Sequence, residues 1–422
     1  MPKVSRYLYI VVLIVAGEMI FGLPFHTARF FRPTMLEVFG FTNTQLGDLF
    51  ALYGVTAMLS YFPGGAIADH FSARGLLSAS LIATAIGGLF MATIPGAGGM
   101  AALYAFWGFT TIFLFWGALI RATREWGGDA EQGVAFGLLE GGRGVVAAVV
   151  AGLLVAVLAF HMPEDVTLAT DEERRRGFQG VILGYSLVAF LTGVLTWFLI
   201  PPPDKQPDRR GNPLPNMAAV IRLPVVWAQA AIIICAYCTY KGVDYYSLYL
   251  VQVMGLDEVE AARLASWGAY IRPIGAITAG LIADRFNATS AIGVTFGLLA
   301  VTYLALSMLL PGTAGAALIY ANLAIGLFAV FALRGIYFAL LQETRTPRHI
   351  TGAAVGLVSV VGYTPEIFFA PIAGRILDAD PGAGGFHDLF ALLAAIMVVG
   401  IVIVGWLTWL KRKSSAAATL AP

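Results

Sequence analysis

Cysteine and charged residues are both scarce in this chain. Of its 422 residues two are cysteines and 12% are charged, whereas 59% are hydrophobic and the mean hydropathy is +0.80. This composition excludes a soluble globular protein and indicates a polytopic membrane protein. Cys235 and Cys238 lie within one apolar segment, so a disulfide framework is excluded and the pair is interpreted as packing.

Motifs for enzymatic chemistry are missing as well. The sequence has no Walker A loop, no His-Glu-x-x-His zinc motif and no nucleophile elbow. It therefore predicts a protein that is not an enzyme, and we expect no cofactor, no metal and no nucleic-acid partner. His26 could ligate a metal together with Asp244, but a single histidine in a membrane segment more often forms hydrogen bonds.

Twelve apolar stretches are long enough to cross a bilayer, for which about 20 residues suffice. They cover residues 7–31, 44–68, 75–95, 99–121, 134–160, 179–200, 225–251, 260–283, 288–310, 314–341, 351–376 and 387–410. The first has no small-residue cleavage site and is interpreted as a retained helix. The sequence thus predicts an all-α membrane protein with twelve transmembrane helices.

Lysine and arginine are distributed unequally between the connecting loops. If the N-terminus is cytoplasmic, most of them fall on the inner side, among them Lys3, Arg124 and Lys411. The positive-inside rule therefore places both termini in the cytoplasm. The mixed-charge run at 171–176 is predicted to be a solvated loop on the outer side.

The chain also divides into two similar halves. The proline-rich stretch 201–222 cannot bury apolar surface, so it is predicted to be a cytoplasmic linker between a six-helix bundle at 1–200 and another at 223–422. The segment that begins at Gly65 and contains Asp69, His70 and Arg74 has a partial copy 215 residues later. The residues that recur are Gly65, Ala68, Asp69 and Phe71, as Gly280, Ala283, Asp284 and Phe286, and Gly40 recurs at the same offset as Gly255. One offset for several matches indicates an internal duplication.

The two repeated segments, which begin at Gly65 and Gly280, resemble the loop signature of the major facilitator superfamily, written G-x-x-x-D-R-x-G-R-R. The resemblance covers the whole chain, although His70 and Ser72 depart from it in the first copy and Thr289 in the second. It implies two six-helix bundles that rock about a cavity near the bilayer midplane, lined in part by the first and seventh helices. It also implies a gating or structural role for Gly65, Asp69, Arg74, Gly280, Asp284 and Arg285.

Ionisable residues inside the spans are the strongest indication of function, because each is costly in a membrane unless it is paired or wetted. They are Glu18, Arg29, Glu140, Arg143, Lys241, Asp244, Arg272, Arg334 and Glu366. Lys241 and Asp244 are three residues apart and can pair on one helix face beside several tyrosines. Glu140 and Arg143 have the same spacing and are interpreted as a structural or gating bridge rather than a ligand site.

Guanidinium groups suit planar anions and cannot lose their charge. We therefore expect the substrate to contact Arg29, Tyr237, Lys241, Arg272, Arg334 and Tyr337. Internal salt bridges remain an alternative for Arg272 and Arg334. Carboxylates can titrate, which makes Glu18, Asp244 and Glu366 the candidates for proton coupling.

The sequence predicts a secondary transporter of the inner (plasma) membrane that carries a small organic anion by alternating access and proton symport. Two alternatives stay open. One is a proton-driven exporter of cationic or zwitterionic compounds, in which the buried carboxylates bind the substrate. The other is a membrane sensor that binds ligand without moving it. A monomer is expected, because one chain supplies both halves of the cavity.

Overall fold

Helices account for all the regular structure that is described. The computed structural model describes residues 6–128, 131–201, 220–309, 315–343 and 351–419, and no strand occurs in these ranges. The predicted all-α fold class is confirmed. Most of the predicted linker, 202–219, lies outside the described residues.

The described helices follow one another with short connections. In chain order they are α1 (Arg6–Met19), α2 (Thr27–Phe30), α3 (Arg32–Phe39), α4 (Asn43–His70), α5 (Ala73–Met91), α6 (Ala97–Gly108), α7 (Gly117–Gly127), α8 (Gln132–His161), α9 (Asp171–Leu199), α10 (Pro224–Gly242), α11 (Tyr246–Gln252), α12 (Glu258–Gly268), α13 (Ile271–Phe286), α14 (Ala288–Met308), α15 (Ala316–Ile336), α16 (Leu340–Glu343), α17 (Thr351–Gly362), α18 (Pro365–Ala379) and α19 (Ala383–Thr419). Two π-helical segments, Gly22–His26 and Phe109–Trp116, join α1 to α2 and α6 to α7. Short 3-10 turns are formed by Val166–Leu168, Val243–Tyr245 and Tyr337–Ala339.

Many of these helices are long and apolar enough to cross a membrane. Within the described ranges nine candidate spans meet that standard, and a tenth is obtained if α1 and the bent segment Gly22–Phe30 count as one. The two parts of that pair meet at 43°. Pro24 lies in the π-helical segment Gly22–His26 at the start of the second part, where it removes a backbone donor and favours the bend. Twelve spans and cytoplasmic termini stay predictions.

The chain forms two compact units. Unit 1 comprises Met1–Arg209, Asp244–Pro273 and Glu366–Ala383, and unit 2 comprises Arg210–Val243, Ile274–Pro365 and Gly384–Pro422. Unit 1 therefore combines the predicted N-terminal half with two segments of the predicted C-terminal half. One of its apolar cores is built on Phe31, Phe50, Tyr104 and Trp107, and a second is built around α1 and α7.

The internal repeat is visible in local backbone geometry. Gly40 and Gly255 both have positive φ, at 63° and 72°, a conformation that glycine adopts readily. Thr42 then caps α4 and Asp257 caps α12, again 215 residues apart. The same offset relates Ser72, which caps α5, to Asn287, which caps α14.

The signature residues lie where these helices end. Gly65 and Asp69 are in the last turns of α4, and Gly280 and Asp284 in those of α13; the Asp69 and Asp284 side chains lie outside the described part. Arg74 in α5 stacks on the Trp197 ring at 4.7 Å, and Arg285 is exposed. Their gating role stays a prediction.

The prediction of a solvated loop at 171–176 is wrong. These residues form the first turns of α9, which begins with a capping box between Thr170 and Glu173. The three acidic residues Asp171–Glu173 lie at the positive end of the helix dipole, where negative charge is stabilising. The charge run is therefore a helix start.

Candidate functional site

Five ionisable side chains meet in the interior of unit 1 and are called the charge array below. They are Glu18 near the end of α1, His26 in the π-helical segment, Glu140 and Arg143 in α8, and Arg272 in the first turn of α13. All but Glu140 are almost completely buried, and the Glu140 side chain is 33% exposed. The array thus draws on both predicted halves of the chain.

The two guanidinium groups of the array share the two carboxylates. Arg143 Nε donates to Glu18 Oε2 at 2.8 Å, and its Nη1 donates to Glu140 Oε1 at 2.7 Å. Arg272 Nη2 donates to Glu140 Oε2 at 2.7 Å, and its Nη1 reaches Glu18 Oε1 at 3.2 Å. With two positive and two negative charges the array is neutral, which makes its burial tolerable.

Close packing brings the first turn of α13, which belongs to unit 1, onto α8 at this point. A Cβ added at Gly144 would lie 2.8 Å from Arg272 Cβ, too close for any larger residue without a shift. Gly144 therefore has a definite function in packing, since it lets the Arg272 backbone approach both carboxylates. The pairing of Glu140 with Arg143, predicted from their spacing, is present in the structure.

His26 completes the array on the α1 side. Its Nε2 lies 3.2 Å from Glu18 Oε1. Its Nδ1 is buried and has no hydrogen-bond partner in the part of the chain that the structure describes. The ring lies edge-on to Phe30 and to Tyr185, at centroid distances of 5.3 Å and 6.0 Å. His26 is therefore an imidazole with one ring nitrogen on Glu18 and the other available to accept a proton.

A second buried ion pair joins α2 to the segment that follows α10. Arg29 Nε donates to Asp244 Oδ1 at 2.6 Å, and the Ser247 hydroxyl donates to the Arg29 backbone carbonyl at 2.8 Å. Asp244 thus has Arg29 as a close partner in unit 1. Lys241, which the sequence placed beside Asp244, is buried in unit 2 with 1% exposure.

Tyrosines surround Arg334 in unit 2. The Arg334 guanidinium lies 4.0 Å from the centre of the Tyr240 ring, a cation–π contact. Tyr237 contacts the Tyr240 and Tyr363 rings, and the Tyr363 hydroxyl is 3.2 Å from that of Tyr337. Three residues that the sequence proposed for substrate binding, Tyr237, Arg334 and Tyr337, therefore belong to one cluster.

Glu366 is the remaining proton-coupling candidate. It lies in the first turn of α18, with 7% exposure, in unit 1. A Cβ added at Gly54 would lie 2.8 Å from the Glu366 carbonyl carbon, so α4 and α18 are in backbone contact there.

Sequence reasoning missed a third charge cluster, at the predicted outer end of unit 1. Arg174 Nε donates to Glu258 Oε1 at 2.7 Å and lies 3.3 Å from Glu37 Oε2. The Thr34 hydroxyl donates to Glu258 Oε2 at 2.7 Å. In the sequence each of these residues looks like an ordinary charged or polar residue at a helix start or in a short loop. Only the tertiary fold brings them together.

The Arg174 cluster predicts a pH dependence of stability. Burial, and after it the carboxylate of Glu258, raise the pKa of Glu37, which lies beyond the predicted first span, above its usual value, while Arg174 acts in the opposite direction. The folded protein then keeps a proton that the unfolded chain loses. This contribution is fully present below the unfolded-state pKa and is lost as the pH rises through the raised pKa.

We expect the melting temperature of the unsubstituted protein to fall over that pH range more steeply than that of Glu37→Gln. The measurement is thermal unfolding in detergent at a series of pH values. Glu164→Gln, in an exposed loop, is the control and should follow the unsubstituted protein. Parallel pH curves for Glu37→Gln and the unsubstituted protein would contradict the prediction.

The fold and the buried charges define a polytopic α-helical membrane protein with ion pairs in its interior. The profile described as Major Facilitator Superfamily matches residues 14–370, so the chain belongs to this family. The inner membrane protein YqcE of Escherichia coli (strain K12) is 29% identical over 431 residues, covering 99% of this chain and 97% of YqcE. The protein is accordingly a multi-pass protein of the inner membrane.

Two further similarities concern transporters. The probable nitrate/nitrite antiporter NarK1 of Thermus thermophilus is 26% identical over 267 residues, covering 62% of this chain and 58% of NarK1. A crystal structure of a bacterial homolog of the human lysosomal transporter Spinster, inward-facing and unoccupied, has a TM-score of 0.71 at 15% identity. It covers 99% of this chain and 98% of that one, and it shows the fold alone. Family and fold point to a secondary transporter.

Proposed function

We propose that this transporter carries a small organic anion together with a proton, and that Arg272 exchanges a protein carboxylate for the substrate. One observation carries the proposal: Arg272 contacts both Glu18 and Glu140 in a buried array whose charges sum to zero. A guanidinium held by two carboxylates is a ready anion-binding group once one of them is neutralised.

Protonation of Glu18 supplies that neutralisation. Of the guanidinium contacts with Glu18, those of Arg272 Nη1 are the longer, at 3.2 and 3.3 Å, whereas Arg143 Nε is at 2.8 Å. When Glu18 is neutral, Glu140 still balances one guanidinium and the array has a net charge of +1. A bound monoanion restores neutrality, so proton and anion are taken up together.

His26 is assigned the delivery of the proton. Its Nε2 already contacts Glu18, and its Nδ1 is a buried acceptor without a partner among the described residues. Protonation at Nδ1 and transfer from Nε2 to Glu18 moves one proton across the ring, which then returns to a neutral tautomer. Asp244 and Glu366 remain candidates for coupling; Glu18 is preferred because its contact with the His26 imidazole gives the proton a route to it.

The substrate class is proposed from the positive groups and their aromatic surroundings. Arg334 on the face of Tyr240, with Tyr237 and Tyr337 nearby, combines a forked cation with hydroxyl groups and ring faces. Such a set suits an organic acid with hydroxyl groups or a ring. Arg29 and Lys241 are kept as further anion contacts, and the name of NarK1, which refers to nitrate and nitrite, supports an anion.

The Glu18→Gln variant tests the coupling. We expect it to bind and exchange the anion without needing a proton, because the array is then permanently positive. The affinity of the unsubstituted protein for the anion should weaken by up to about tenfold for each unit by which the pH rises, the limit for one coupled proton. The affinity of Glu18→Gln for the anion should not change with pH. In proteoliposomes the variant should retain anion exchange and lose uptake driven by a pH gradient.

The control for this experiment is Glu172→Gln, in an exposed pair with Arg176. The substrate itself is found first, by thermal-shift screening of carboxylates, phosphates, sulfonates, sugars and amines at two pH values. A Glu18→Gln affinity that follows pH like the unsubstituted protein would contradict the coupling. Stabilisation by amines alone, lost in Glu18→Gln or Asp244→Asn, would replace the proposal by the exporter.

A further inference from the structure

Arg32 stands apart from the other buried cations of unit 1. It is the first residue of α3 and its side chain is completely buried. Its Nε donates to Asn43 Oδ1 at 3.1 Å, and its guanidinium lies 4.1 Å from the centre of the Tyr245 ring. Both terminal nitrogens, Nη1 and Nη2, are buried with no hydrogen-bond partner in the described residues.

The other buried arginines of unit 1 differ from Arg32 in having a carboxylate partner. Arg29, Arg143 and Arg272 each contact a carboxylate, at 2.6 to 3.2 Å. Arg32 has no carboxylate within 4 Å in the part of the chain that the structure describes. A buried cation without a counter-charge is destabilising, more so within a membrane protein, and a cation–π contact offsets only part of that cost. A water molecule would satisfy an N–H group but would not neutralise the charge.

A second buried polar group without a hydrogen-bond partner in the described part of the chain lies in the apolar core of unit 1 that contains Phe31. The Tyr104 hydroxyl is fully buried and has no hydrogen-bond partner among the described residues. Tyr104 belongs to the same apolar core as Phe31, the residue that precedes Arg32. Since a buried hydroxyl normally finds an acceptor, Tyr104 is a neutral donor whose proton is available to an acceptor from outside the chain.

We propose that the Nη1 and Nη2 groups of Arg32 and the Tyr104 hydroxyl bind a small monovalent inorganic anion of the size of chloride or nitrate. The proposal is restricted to a small anion, because the Arg32 side chain is fully buried and Tyr245, whose ring it contacts, is only 1% exposed. This site is separate from the charge array and does not depend on the proposed substrate. It fixes α3 against α6 by supplying the counter-charge that the chain lacks.

Thermal unfolding of the detergent-purified protein tests the site. Sodium chloride or sodium nitrate replaces sodium gluconate at constant ionic strength, so that non-specific screening is unchanged. We expect the melting temperature to rise saturably with chloride or nitrate. Tyr104→Phe should shift the half-saturating concentration about tenfold upward, the loss of one hydrogen bond to a charged group, and Arg32→Gln should remove the dependence.

Tyr185→Phe is the matched control, because the Tyr185 hydroxyl is also buried without a partner in the described residues but belongs to the surroundings of His26. It should keep the anion dependence. If Arg32→Gln does not fold, the comparison of Tyr104→Phe with Tyr185→Phe decides the matter. Equal melting temperatures in gluconate and chloride, or equal half-saturation in the two tyrosine variants, would overturn the proposal.

Discussion

Replacing Arg272 by alanine should weaken anion binding and uptake by at least about 100-fold. Arg272 is the guanidinium that contacts both Glu18 and Glu140, so its loss removes the group that we expect to receive the substrate. Two hydrogen bonds to a charged partner contribute about 3 kcal/mol, which corresponds to that factor. Arg272→Lys keeps the positive charge but loses the forked guanidinium, so its anion binding and uptake should lie between those of Arg272→Ala and the unsubstituted protein.

Folding has to be separated from binding in this experiment, because Arg272→Ala leaves the array with one guanidinium and two carboxylates. Arg272→Gln combined with Glu18→Gln keeps the array neutral and should restore stability without restoring binding. Arg176→Ala, which removes an exposed arginine, is the control for loss of a cation. Uptake of the radiolabelled anion that persists in Arg272→Ala and Arg334→Ala would rule out the binding assignment.

The charge array shows how far the sequence could be interpreted. Glu140 and Arg143 could be paired in advance, because three residues along a helix bring two side chains onto one face. Arg272 could not be added, since it is 132 residues from Glu140 along the chain and its contact depends on how the first turn of α13 packs on α8.

The interpretation of residues 171–176 failed because it considered their charges and not the helix-capping residues beside them. The run at 171–176 is rich in both signs and suggested a loop, yet Thr170 and Glu173 have the spacing of a capping box. The repeat, by contrast, was a dependable guide, because Gly40 and Gly255 share a backbone conformation that few other residues adopt. Buried polar atoms without a hydrogen-bond partner among the described residues, such as Nη1 and Nη2 of Arg32, cannot be recognised from the sequence, since only the tertiary packing determines which atoms lie near them.

The contact between α4 and α18 carries the last prediction. A Cβ added at Gly47 would lie 2.7 Å from the Ala370 carbonyl carbon, and one added at Gly374 would lie 2.7 Å from that of Asn43. Asp378 accepts hydrogen bonds from the Asn43 and Thr44 backbone amides, at 3.1 and 2.7 Å, and so caps α4 from α18. At Gly47 and Gly374 the two helices are therefore in direct backbone contact, with no intervening side chain that could move aside.

Gly47→Ala or Gly374→Ala should force α4 and α18 apart and break the Asp378 cap. We expect the free energy of unfolding to fall by about 2–4 kcal/mol, from steric overlap together with a lost cap. A cysteine introduced at Thr44 should react with a maleimide at least about tenfold faster in the alanine background, the factor for 1.4 kcal/mol of easier opening. Gly152→Ala, in α8 where nothing lies within 4 Å, is the control.

This contact also bears on transport. In alternating access the segments of the two predicted halves have to separate at one end of the molecule before the site can open there. α4 belongs to the first half and α18 to the second, so an alanine between them should favour the separated state and change the exchange rate along with the maleimide rate. Equal maleimide rates in Gly47→Ala and Gly152→Ala would show that the helices already separate freely, and the glycines would then be packing features with no part in the transport cycle.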